Sequence, residues 1–260
     1  MLVIERQQAI MEYLKKHKTA TVIALAKKYY SSEATIRRDL EALQAQGLIA
    51  RTHGGAGILK GLNNEIPLYL REKEMLHEKR LIAALAIDLI DEGDVIILDS
   101  SSTIHEMIRH MGNMKNITVV TNGAKTALSL TELRVSVFST GGKLRENSLS
   151  YVGDIAKSTV ENFCANKLFF SCRAISAKHG LMDSSLEEAE LRRVMMNQSQ
   201  LNILLCSDDK FEKSAFYRIC DVGQIHVFVS NNRPPKSLCN MMLEQGIRII
   251  TPGENIRRSL

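Results

Sequence analysis

The sequence predicts an α/β chain in two parts: a small helical head closed by a β-hairpin, then a larger, mostly parallel α/β domain. Two observations predict the division. Residues 1–60 hold ten basic and five acidic side chains, whereas the remaining 200 hold 24 of each, so the whole net charge of +5 sits at one end. From Arg71 onward, short apolar strands alternate with helical stretches, as in a parallel sheet buried on both faces. The expected boundaries are 1–57 for the head, 58–74 for a linker and 75–260 for the second domain. The Gly- and Asn-rich run AGILKGLNNEIPLYL, which carries Pro67, marks the linker.

In the head, Ile10 and Leu14 lie one turn apart in a first helix over about 3–17, and Val22, Leu25 and Ala26 face inward from a second over about 21–29. Ser31 and Ser32 offer an N-cap for a third helix, EATIRRDLEALQAQ, whose Ile36, Leu40 and Leu43 form an inward stripe. Gly47 ends that helix. LIARTHGGAGIL then reads as a hairpin turning at His53-Gly54-Gly55.

In the second domain, REKEMLHEKRLIAALAIDLIDEG reads as a helix with Leu81, Leu85 and Leu89 on one face. DVIILD, ITVVT, RVSVFST, KLFFSCRAIS, LNILLCS, HVFVS and IRIIT read as strands. Helices are expected between them at SSSTIHEMIRHMG, NGAKTALSLTE, about 152–163, EEAELRRVMMNQS and about 235–245. No apolar run is long enough to span a membrane, and the N-terminus interleaves charge with apolar residues, unlike a signal peptide. A cytoplasmic location is expected. The five cysteines, Cys164, Cys172, Cys206, Cys220 and Cys239, are odd in number and widely spaced, so reduced thiols are expected rather than disulfides or a metal site. The reading calls for no cofactor and no catalytic residue.

A basic head on a neutral body is the footprint of a chain that holds a polyanion at one end. A helix that reads DNA needs rigid support, short polar side chains toward base edges and basic flanks toward phosphates. The third helix meets these needs. Arg37 and Arg38 can fork onto guanine or phosphate, Ser32 and Thr35 are short enough for close approach, and Lys27 and Lys28 flank them. Arg51 and His53 lie on the wing. Singly, each residue reads more readily as a solvated or capping group; the assembly points to double-stranded DNA.

The stretch ATIRRDLEALQAQGLIARTHGGA resembles the signature of DeoR-family bacterial repressors: a TIRRDL recognition helix, a Gly-Leu turn, then an arginine and HGGA in a wing. The resemblance runs on through Lys79–Ala83, LDSSST, VVTN and the paired glycines. It implies a winged helix-turn-helix joined to a sugar-phosphate-sensing domain similar to the ribose-phosphate isomerase fold, and a repressor of carbohydrate genes that works as a homodimer or homotetramer.

In an open parallel sheet, ligands bind beyond the carboxyl ends of the strands. There stand Asp99, Ser100, Ser101, Ser102 and Thr103, opening a helix as a candidate phosphate cradle. Thr121 and Asn122, Gly141 and Gly142, and Lys210 end other strands, while Glu190 and Arg192 lie on the helix before LNILLCS. Capping, turns and solvation are the plainer readings of each. The resemblance implies a phosphate loop at Ser100–Thr103 and sugar contacts at Asp99, Thr121, Asn122, Gly141, Gly142, Glu190 and Lys210. The sequence departs from the family pattern in several places: DSSST replaces DSGTT, Cys206–Phe211 replaces A-D-x-S-K-F, Ser171–Ile175 replaces G-x-x-G-I, and Leu191-Arg192 replaces V-K. Arg173 adds a cation that would favour a second anionic group on the ligand. Two rival readings are a sugar-phosphate enzyme with a basic appendage, for which no clear acid–base pair stands out, and an RNA-binding module, which lacks aromatic platforms.

Overall fold

The computed structural model describes residues 2–52, 54–58, 65–133 and 135–253. The chain forms two compact units, Met1–Arg71 and Glu72–Leu260.

The first unit contains α1 (Val3–His17), β1 (Thr19–Thr21), α2 (Val22–Lys28), α3 (Glu33–Ala45), β2 (Ile49–Thr52), β3 (Gly55–Ile58) and α4 (Leu68–Arg71). Thr21 caps α2 by accepting the Ala24 N–H, and Ser32 caps α3 by accepting the Thr35 N–H. Gly47, at φ 69°, takes the left-handed position just past α3. Ile10, Leu14, Leu25, Ile36, Leu40 and Leu43 are fully buried together. The Arg6 guanidinium is buried against Asp39 at 2.5 Å and ties α1 to α3. The expected hairpin, β2 with β3, gains a third strand that the sequence reading did not assign, because β1 pairs antiparallel with β3. Leu68 and Leu70 are buried and Tyr69 donates to Gln46 at 3.0 Å, so the last part of the stretch read as linker packs within this unit. Residues 59–64, also in that stretch, lie outside the described residues.

The second unit contains α5 (Leu76–Ala86), β4 (Val95–Leu98), α6 (Ser102–Ile108), β5 (Thr118–Thr121), α7 (Ala124–Leu130), β6 (Ser136–Ser139), β7 (Lys143–Arg145), β8 (Ser150–Val152), α8 (Asp154–Glu161), β9 (Ala165–Phe170), β10 (Ala174–Ser176), β11 (Gly180–Asp183), α9 (Leu186–Asn197), β12 (Ser199–Leu205), β13 (Tyr217–Cys220), β14 (Val227–Val229), α10 (Lys236–Glu244) and β15 (Arg248–Ile250). Seven strands form a sheet in the order β15-β14-β12-β9-β4-β5-β6, and every pairing in it is parallel. Neighbouring residues along one strand enter opposite cores. Ile97, Leu168, Phe170 and Phe228 pack on one face, and Ile96, Leu98, Phe169 and Val229 pack on the other. This two-sided burial is why the strands read as unbroken apolar runs. Among the described residues, no helix is long and apolar enough to cross a membrane.

Two local expectations are corrected and one hairpin is added. KLFFSCRAIS is not one strand: β9 ends at Phe170, and β10 joins a separate antiparallel sheet with β11 and β13. After Gly142, which the sequence reading left without a following strand, β7 pairs with β8 in a hairpin. The buried face of α5 is Ile82, Ala83 and Ala86, with Leu81 and Leu85 only half-buried; of the three expected leucines Leu89, in the turn that follows α5, is buried. Two of the three apolar residues buried on α5 are alanines, so within the helix a stripe chosen by leucine alone falls one residue off.

Candidate nucleic-acid interface and effector site

In the head, α3 presents Arg37 and Arg38 to solvent, opposite its buried Ile36, Leu40 and Leu43. Arg37 is tied to Glu33 one turn back at 3.0 Å, whereas Arg38 has no ion-pair partner among the described residues. At the start of the helix the Ser32 and Thr35 hydroxyls are 2.8 Å apart. Lys27 and Lys28 are exposed on α2, and the Lys28 ammonium lies 5.2 Å from the centre of the Tyr13 ring. Arg51 of β2 is held by Glu41 at 2.8 Å. His53 lies outside the described residues.

In the second unit, the chain runs one way across the sheet from β4 through β5 to β6, and the other way from β9 through β12 and β14 to β15. The reversal falls between β4 and β9, which is where an open α/β sheet leaves a crevice at its carboxyl end. Asp99 ends β4 at that point and is 1% exposed. One of its oxygens accepts the Ser101 N–H at 2.8 Å; the other accepts the Ser171 N–H at 3.1 Å and Arg192 Nε at 3.0 Å. Arg192 also donates to Asp183 at 2.7 Å and to Glu188 at 3.5 Å. Burial alone would lower the pKa of this guanidinium, but Asp183, Asp99 and Glu188 outweigh it and raise it. The network continues from Glu188 to Ser150 at 2.7 Å and on to Ser148 at 2.7 Å. Arg145 of β7 lies 3.4 Å from Glu188.

The other predicted rim residues fall around this cluster. Ser100, Ser101, Ser102 and Thr103 are all buried; Ser101 is the N-cap of α6, and the Thr103 hydroxyl has no hydrogen-bond partner among the described residues. Thr121 accepts the Gly123 N–H at 3.1 Å. Asn122 donates to the Tyr151 carbonyl at 3.1 Å, and its own buried side-chain oxygen likewise has no partner among the described residues. Gly141 and Gly142 have φ of 61° and 106°; a β-carbon on Gly142 would stand 2.8 Å from the Val152 carbonyl oxygen, so the hairpin base closes only on glycine. Lys210 donates to the Ser171 hydroxyl at 2.9 Å. Arg173 is half-buried beyond the end of β9. Beside them the Cys206 thiol is pushed well up by burial. Its hydrogen bond to Cys172, aided by Lys210, holds the Cys172 thiol below the usual range. All five cysteines are free thiols.

Glu190 is not brought to this cluster: it faces away on α9 and pairs with Lys157 at 2.6 Å. The acid that occupies the site from α9 is Glu188, which the sequence reading passed over together with Asp183, Ser171 and Ser150. Two signals could have found the acids. Glu188 stands one helical turn before Arg192. Asp183-Ser184-Ser185 also repeats the pattern of Asp99-Ser100-Ser101: a strand-end aspartate accepts the N–H two residues on, and that serine caps the next helix.

Comparison with known proteins gives concordant matches for both units. Residues 6–61 match the family model of the DeoR-like helix-turn-helix domain, and residues 74–232 match that of the DeoR C terminal sensor domain. The chain is 35% identical over 233 residues to the HTH-type transcriptional regulator YulB of Bacillus subtilis, covering 89% of this chain and 90% of that protein. It is 33% identical over 226 residues to the HTH-type transcriptional repressor CsqR of Escherichia coli K12, covering 86% of each. Among solved structures, ribose 5 phosphate isomerase A from Neisseria gonorrhoeae aligns with 52% of this chain and 53% of its own, at 15% identity and a TM-score of 0.40, a likeness too slight to carry an argument.

Proposed function

Because this chain belongs to the DeoR family, we propose that it is a DNA-binding transcriptional repressor of carbohydrate genes, with operator binding modulated by a phosphorylated sugar or related metabolite. Residues 1–57 form the DNA-binding domain in this reading, 58–74 a linker of which Leu68 to Arg71 pack against the head, and 75–260 the sensor. The protein acts in the cytoplasm as a homodimer or homotetramer, because two recognition helices on a two-fold axis match a palindromic operator.

The observation that carries the reading is a set of polar groups that the fold places and leaves uncommitted among the described residues. On α3, Arg38 is exposed and free of any ion pair, beside Ser32 and Thr35. At the sheet's switch point, the Thr103 hydroxyl and the Asn122 side-chain oxygen are buried without partners. A buried polar atom left unpaired costs free energy, so it marks a place for a ligand that supplies the missing hydrogen bond. Ser100–Thr103 then cradle the phosphate, Asn122 and Lys210 meet sugar hydroxyls, and Arg173 favours a second anionic group. Arg192 and Asp99 hold the floor through their mutual ion pair. The ligand alters operator binding only through its differential affinity for two arrangements of the protein. Release from DNA is the expected direction.

The test has two arms. Gel retention of the DNA upstream of the protein's own gene should be salt-sensitive, and a thermal-shift screen of pentose and hexose phosphates should find a compound that raises the melting temperature. A folded protein that retains no promoter fragment refutes the DNA reading. Multiple turnovers of a sugar phosphate would replace the sensor with an enzyme.

A further inference from the structure

Tyr30 stands in the turn between α2 and α3 with φ 50° and 98% of its surface exposed. The turn closes α2 in a fixed way: the Tyr29 N–H donates to the Leu25 carbonyl at 2.9 Å, and the Ser31 N–H reaches back to the Ala26 carbonyl at 3.0 Å. That pattern puts Tyr30 at the position where a helix ending demands left-handed backbone, a place glycine fills with least strain. A bulky side chain there is a genuine outlier. Packing within the fold does not offset the strain. Among the described residues, the Tyr30 hydroxyl has no hydrogen-bond partner and its ring no aromatic or cationic contact. Tyr29 shows the contrast: it is half-buried and its hydroxyl donates to the Ala9 carbonyl at 2.6 Å.

A strained residue whose side chain does nothing for the folded chain points to a role outside it. We infer that Tyr30 is a DNA-contacting residue whose phenolic hydroxyl donates to a phosphodiester oxygen at the edge of the groove that α3 enters. The inference rests on the reading of the head as a DNA-binding module. The turn adjoins the exposed Lys27 and Lys28 and leads directly into Ser32 and Thr35. When the N-terminal end of a recognition helix approaches base edges, the segment just before it faces the flanking phosphates. A tyrosine there adds a neutral donor and a flat ring where a further lysine would add only charge.

The experiment measures anisotropy of a short, fluorescein-labelled duplex of mixed sequence across a salt series, with the full-length protein. Tyr30→Gly removes both the side chain and the backbone strain. The expected result is a melting temperature no lower than that of the unsubstituted protein and an affinity about ten-fold weaker, the scale of one hydrogen bond to a charged acceptor. The slope of log affinity against log salt stays unchanged, because a neutral donor releases no counterion. Affinity within two-fold of the unsubstituted protein overturns the inference. So does a lowered melting temperature, which would give the side chain a structural role, or a flattened salt slope, which would mean the whole head had shifted. If the unsubstituted protein itself ignores the duplex, the DNA reading fails first and this inference falls with it.

Discussion

Replacing Arg192 with methionine should destabilise the second unit severely. The side chain is 6% exposed and its partners are buried too: Asp99 at 1%, Asp183 at 8% and Glu188 at 6%. Methionine fills most of the volume, so the loss is mainly electrostatic. Asp99 and Asp183 would remain out of water without the cation that faces them, while Glu188 would keep Arg145 at 3.4 Å. Removing one member of a buried ion pair costs about 3–5 kcal/mol, chiefly because the abandoned charge stays buried. Here two buried acids, Asp99 and Asp183, lose the same guanidinium at once, so the upper half of that range is expected. In a domain of this size each kcal/mol moves the melting temperature by about 2–4 °C, which places the shift at roughly 8–20 °C. Thermal and urea unfolding followed by circular dichroism reads it directly. Arg192→Lys should fall in between, since an ammonium keeps the charge but loses the fork that reaches Asp99 and Asp183 together. Adding Asp183→Asn to Arg192→Met should recover part of the loss, because one of the two stranded charges is gone. A loss below about 1 kcal/mol for Arg192→Met would refute the reasoning, since a group worth so little sits in a surface-like environment.

Three further outcomes are expected. Arg38→Ala should weaken operator binding by about 1–3 kcal/mol and relax specificity at one position, whereas Lys27→Ala should weaken all DNA binding evenly and reduce the salt slope by about one; binding-site selection and a salt titration would expose an exchange of these roles. Thr103→Val keeps the shape of a buried side chain whose hydroxyl is unpartnered among the described residues, so stability should hold or rise slightly while effector affinity drops at least several-fold by calorimetry; unchanged affinity would remove Thr103 from the site. Burial, then Lys125, holds the His105 imidazole below its ordinary value of 6.5. The unfolded chain therefore binds that proton more readily, and stability falls as pH drops through 6.5 toward the folded value; in urea titrations at several pH values, His105→Gln should remove that part of the slope.

Much of the fold is legible in the sequence because apolar runs such as VIIL and KLFF leave little alternative to strands buried on both faces. The head is equally legible: Ile36, Leu40 and Leu43 face inward in one register only, and Ser32 caps where capping chemistry places it. What escapes is decided by neighbours distant in sequence. β1 is three residues long and exists because β3 comes to pair with it. The strand expected through Ser171 to Ser176 breaks because the Ser171 N–H turns to Asp99 and β10 pairs with β11 instead. Glu188 and Glu190 look alike in the sequence, yet they face opposite sides of α9. One lies beside the buried Arg192 and the other pairs with Lys157 at the surface. The spacing of Glu188 one turn before Arg192 separates them, but it gains weight only once packing shows Arg192 to be buried.

The same packing narrows what the effector can touch. Both Asp99 oxygens are occupied, by two backbone N–H groups and Arg192. A sugar hydroxyl would meet here a carboxylate that three donors already hold in place, with one acceptor position of Oδ1 to spare. The floor of the crevice is therefore a fixed strut, and in the proposed reading recognition falls mainly to groups around it that stand uncommitted among the described residues, Thr103 and Asn122 foremost. Arg192 then matters to the effector through position rather than contact. Arg192→Lys, which keeps charge near the floor but loosens its geometry, should weaken the effector more than it weakens the fold. Direct contact makes the opposite prediction, because an ammonium would still reach an anionic ligand and affinity would survive.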